Sequence, residues 1–92
     1  MASHLDFESK MPNGWSIQTI FGTIKDGTFL QEKADFSTLA DLEILHLRLM
    51  QYFKDFQQLP VVGDFLISDI DGFTVHQRLI DIKEKTIIFE LV

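Results

Sequence analysis

Two kinds of hydrophobic pattern alternate along this chain. Residues 15–25, WSIQTIFGTIK, are rich in β-branched and aromatic side chains and predict a strand. Asp26-Gly27 follows, a dipeptide suited to a two-residue type I′ turn because both positions take positive φ. Residues 28–33 are then the returning strand. Gly22, inside the first strand, predicts a bulge or a close backbone approach. Further on the period changes. Leu39, Leu42, Leu45, Leu49, Phe53 and Phe56 recur at the spacing of one helical face. Ser37-Thr38 opens this helix, with Asp41 completing an imperfect capping box, and Pro60 stops it near Gln58.

Alternation returns after Pro60. Residues 64–70 and 73–82 read as strands about an Asp71-Gly72 turn, and Lys83-Glu84-Lys85 leads into a last strand over 86–91. The order is ββαβββ. It predicts an α+β domain, a small antiparallel sheet or half-barrel with one long helix. Residues 1–14 are polar, end in Met-Pro-Asn-Gly, and read as a flexible N-terminal arm before a single domain over 15–92.

An Asp71-Gly72 turn sets Ile70 opposite Phe73, Ser68 opposite Val75 and Ile67 opposite His76. One face then carries Phe65, Ile67, Ile80, Ile82, Ile87, Phe89 and Leu91. The other carries Leu66, Ile70, Phe73, Val75, Leu79 and Ile88, interrupted by Ser68, Gln77, Asp81, Thr86 and Glu90. A solvated antiparallel face is mostly polar, whereas this one is half apolar. On the helix, Ala40, Ile44 and Leu47 align opposite the main stripe. Ala40, Ile44, Leu47, Leu66, Phe73, Val75 and Ile88 are therefore the candidate protein interface.

Composition adds to that surplus. Of 92 residues 46% are hydrophobic, nine are Phe and none is Cys, and the formal net charge is -6. A globular domain is implied, and disulfide, cysteine-zinc and thiol chemistry are excluded. The apolar runs are too short for a membrane helix, and MASHLDFESK lacks the core of a secretory signal. A cytoplasmic chain, or one acting in a host cytoplasm, is expected. Eight basic residues are dispersed among fourteen acids, so no basic stripe exists to meet nucleic acid.

Chemical motifs are sparse. Asp69-Ile70-Asp71-Gly72 matches the middle of a calcium loop, but the flanking ligand positions fall on Ile67 and Arg78, so no metal is expected. His76 and Arg78, two apart on a strand, share a face and are a weak anion-grip candidate. His46 and His76 read otherwise as packed edge residues. No nucleophile, phosphate-loop or dinucleotide motif is present, and no cofactor is expected. The expectation is a non-enzymatic protein-binding domain, a self-associating accessory or structural subunit and so a homo-oligomer. The alternative is an acidic monomeric inhibitor or immunity protein, of phage or toxin-system type, that docks on a basic partner. No motif carries a family resemblance.

Overall fold

The computed structural model describes residues 3–4, 6–31, 33–34, 36–67 and 72–92. The elements are β1 (Ser3–His4), β2 (Asp6–Lys10), β3 (Ser16–Lys25), β4 (Thr28–Gln31), β5 (Lys33–Ala34), α1 (Phe36–Phe56), β6 (Phe65–Ile67), β7 (Gly72–Asp81) and β8 (Thr86–Leu91). This is the expected α+β architecture, one helix on a curled half-barrel sheet. The sheet runs β2-β3-β8-β7-β6, β4 pairs with β3, and β1 and β5 form a separate pair. The sheet is mixed. Strands β3 and β8 lie parallel, from Ser16↔Thr86 to Phe21↔Leu91. Parallel neighbours need a long crossover, here α1 with the β6–β7 hairpin, so nothing local to either strand announces the pairing.

The first hairpin forms as expected. Lys25 pairs with Thr28, and Asp26 (φ 52°) and Gly27 (φ 77°) are both left-handed. Gly22 is a close approach: a Cβ there would fall 2.6 Å from Cζ of Phe29, whose ring covers the glycine. Residues 6–10, expected in the arm, form β2, pairing from Asp6↔Ile20 to Lys10↔Ser16. Too little of this stretch is apolar to read as a strand, and its pairing with β3 is what orders it.

The second hairpin departs from expectation. Its register is Phe65↔Thr74, Leu66↔Phe73 and Ile67↔Gly72, so Ile67 faces Gly72 rather than His76. Ser68, Asp69, Ile70 and Asp71, including half of the expected turn, lie outside the described residues. Gly72 belongs to β7, where a Cβ would fall 2.5 Å from Cε2 of Phe65. The larger correction comes from a bulge between Val75 and Gln77. One inserted residue reverses every later side chain, so Val75 and Arg78 come to one face of β7. Phe73 and Val75 thus join Phe89 and Leu91 beneath the helix, exposed by 4% and 1%. Their expected place on the outer face is overturned.

The core is built from Leu42, Leu45 and Leu49 of α1 against Ile17, Phe73, Val75, Phe89 and Leu91, closed at one end by Met11. Phe21 meets Phe73 edge-on, centroids 5.7 Å apart. Leu39, Met50, Phe53 and Leu66 pack around its margin. Phe56, expected on the same stripe, is 62% exposed because the helix ends there. Gln57 turns left-handed (φ 55°) and donates its N–H to the Phe53 carbonyl at 2.7 Å, a C-terminal cap. At the other end the helix begins at Phe36, so Thr38 and Asp41 lie within it rather than at its cap.

Candidate functional site

The expected interface residues do not form one surface. Ala40 and Leu47 are exposed on the outer side of α1, with Ile44 half-buried between them. Ile88 is half-buried on the sheet face away from the helix, paired with Leu79. Phe73 and Val75 are in the core, and Leu66 is at its margin.

His76 and Arg78 are likewise separated. The His76 ring stacks on Phe29, centroids 6.1 Å apart and planes 13° from parallel. Arg78 is paired with Phe89 on the other face, and its Nη1 donates to the Pro60 carbonyl at 3.4 Å. The bulge that corrects the core also removes the anion grip.

His46 is 3% exposed, and it joins two strands to the helix. Its Nε2 lies 2.7 Å from Ser9 Oγ and its Nδ1 lies 3.1 Å from Thr19 Oγ1. Each hydroxyl can donate or accept, so either imidazole tautomer is satisfied. Phe7 lies against the ring at 5.9 Å. Burial pushes the His46 pKa below its ordinary value, because desolvation disfavours the imidazolium. A serine against an imidazole nitrogen is also the arrangement of an activated nucleophile. Here Thr19 is fully buried and the imidazole is nearly so, which leaves no room for a substrate at the pair. The cluster anchors β2.

Two grooves flank the C-terminal half of α1. One, of about 650 Å³, has Met11, Met50 and Phe53 as its floor and Lys10 and Lys54 at its rim. The other, of about 410 Å³, lies between Leu45, Leu49 and Tyr52 of the helix and Phe65, Leu66 and Ile67 of β6. Among the described residues twelve large hydrophobics are exposed. Tyr52 (43%), Phe65 (62%) and Ile67 (73%) line this second groove with Arg48 and Asp64, and Phe56 (62%), Val61 (49%) and Val62 (61%) lie near them in the chain. Ile24, Leu30, Leu47, Leu79, Ile80 and Ile82 are exposed elsewhere. Tyr52 and Phe56 touch, with centroids 5.1 Å apart.

The chain between helix and strand is held in place. Asp64 accepts the Val61 N–H on Oδ2 at 2.9 Å and donates its own N–H to the Val61 carbonyl at 3.0 Å. Gly63 N–H reaches the Val75 carbonyl at 2.8 Å, and Val75 N–H reaches the Asp64 carbonyl at 2.9 Å. Strand β6 is thereby fixed on β7 as the end strand of the sheet.

Of this site the sequence singled out only Leu66, and it put Phe65 and Ile67 on the sheet face opposite the expected interface. The available signal was the lack of any charged residue in Phe65-Leu66-Ile67, an unusual text for a sheet edge. Among the described residues, no group of three or more His, Asp or Glu side chains is placed to hold a metal ion. No described helix is long and apolar enough to cross a membrane. Comparisons with protein-family models, with curated proteins and with solved structures find no match.

Proposed function

We propose that this chain is a non-catalytic protein-binding domain that works by associating with itself, as an accessory or structural subunit in a cytoplasm, its own cell's or a host's. The observation that carries the reading is the set of exposed apolar side chains between Tyr52 and Ile67. Side chains of this size expose roughly 600 Å² at those fractions, if a full aromatic presents about 150–250 Å² and the aliphatics somewhat less. The largest apolar patch of a typical monomer is about 300–600 Å² and is often functional. A standard interface takes about 800 Å² from each partner, a little over half of it apolar.

Light scattering tests the reading. The expected result at micromolar concentration is a mass above the 10.7 kDa of one chain, unchanged between about 0.05 and 0.5 M salt. A chain monomeric at every concentration overturns it. The net charge of -6 favours a second reading, an acidic inhibitor docking on a basic protein. That complex would form with a monomer and weaken steeply as salt screens the charges.

A further inference from the structure

We infer that the partner is a second copy of this chain, bound edge to edge through β6, so that the two sheets join into one across a two-fold axis at Leu66. The inference rests on the self-association proposed above and names its surface.

The hydrogen-bond pattern of β6 supplies the first argument. In an antiparallel ladder, successive residues turn their N–H and C=O groups alternately towards and away from the neighbour. The Asp64 carbonyl is taken by Val75 N–H, so Asp64 and Leu66 face β7. Phe65 and Ile67 therefore direct their main-chain groups to the open side, where no described strand pairs with β6. Two such edges, run antiparallel with Leu66 opposite Leu66, are self-complementary. Phe65 of each copy lies opposite Ile67 of the other, and each of these pairs closes two main-chain hydrogen bonds. A two-fold interface requires this match of a surface with itself.

The side chains agree with the backbone. Phe65 and Ile67, 62% and 73% exposed, would cover each other on the outer face. On the helix face, the two Leu66 side chains would meet at the mouths of the two grooves, with Tyr52 from each helix beside them. The apolar area around the groove meets the apolar share of a standard interface, and main-chain pairing adds a fixed register. Within Phe65-Leu66-Ile67 there is no charge, proline or bulge to hinder such pairing; the exposed Asp64 and the Gly63-Asp64 pair opposite Val75 stand just before it.

The absence of native cysteine makes the test direct. Residues facing each other in a pair that exchanges no hydrogen bonds have Cα atoms about 4.5 Å apart, within disulfide range. Leu66→Cys is therefore expected to cross-link to a covalent dimer under mild oxidation, whereas Leu47→Cys, on the outer side of the helix, stays monomeric on a non-reducing gel. Ile67→Lys, at an exposed position, should lower the light-scattering mass to one chain while leaving the circular dichroism spectrum unchanged. A wild-type dimer that survives Ile67→Lys, or one in which Leu47→Cys cross-links and Leu66→Cys does not, overturns the β6 interface and leaves self-association standing. A wild-type monomer overturns both.

Discussion

The two ends of the sheet are built on opposite principles. At one end β2 reads Asp-Phe-Glu-Ser-Lys, with charged residues at every second position. Its alternate residues Phe7 and Ser9 turn to the helix, where Ser9 meets His46. At the other end β6 reads Phe-Leu-Ile, with two of its three side chains largely exposed. One edge is fixed to its own domain and guarded by charge, which makes further strand addition costly. The other pairs with β7 on one side, has no described strand on its open side, and offers apolar side chains there. The asymmetry puts two largely exposed apolar side chains, Phe65 and Ile67, on the less guarded edge, while Ile80 and Ile82 are exposed towards the β7–β8 turn.

Both hairpins seat a phenylalanine ring on a strand glycine, and their difference gives the largest expected effect. At Gly22 a new side chain would strike the Leu30 carbonyl as well as the Phe29 ring; at Gly72 the nearest atoms all belong to the Phe65 ring. Backbone cannot turn aside as a ring can. Gly22→Val should cost about 3 kcal/mol or more by urea unfolding, and Gly72→Val about 1–2 kcal/mol. Equal losses would show that β6 is held as rigidly as the first hairpin.

The anchor of β2 comes next. His46→Ala leaves the buried Thr19 hydroxyl without its imidazole partner and opens space beneath Phe7, at an expected cost of about 2–3 kcal/mol. Chemical unfolding measures it. A loss below about 0.5 kcal/mol would mean that β2 is held by pairing with β3 alone.

A smaller effect follows from pH. The folded pKa of His46 is lowered from 6.5, so the unfolded chain takes up the proton first as pH falls. This contribution to stability is complete above about pH 6.5, declines below it, and levels off once pH passes the folded pKa. Unfolding midpoints compared at pH 7.5 and 5 should fall more for the wild type than for His46→Gln. Identical pH dependence in the two would place the imidazole in a wetter site than β2 provides.

The smallest effect on the monomer belongs to the β6 edge itself. Ile67→Lys should change the unfolding free energy of one chain by no more than about 0.5 kcal/mol, since that side chain is 73% exposed. The reciprocal change, Glu8→Ile with Lys10→Ile, should strip the guard from β2 and raise the light-scattering mass above that of the wild type. No increase would show that the neighbourhood of β2, rather than its charges, closes that edge.

Much of this domain follows from local pattern. Asp26-Gly27 demanded a left-handed two-residue turn and made one. The Leu42, Leu45, Leu49 spacing demanded a helix with one buried face, and Thr86–Leu91 formed a strand with the bounds its composition implied. These features depend on neighbours within a turn or two of chain, so the residues themselves carry the information. Three others depend on contacts distant in sequence. The parallel union of β3 with β8 joins residues 70 apart, Ser16 with Thr86, and leaves no periodic trace in either strand. The ordering of β2 required β3 to be in place beside it. The bulge at Val75–Gln77 is a fit between β7 and β8 that no residue type in Val-His-Gln announces. It nevertheless decided which half of each strand faces the helix, and so moved Phe73 and Val75 inward and parted His76 from Arg78. Strand and helix patterning, with nine Phe, pointed to more apolar side chains than one core needs; because a single inserted residue reverses every side chain after it, only tertiary pairing could decide which of them would be exposed.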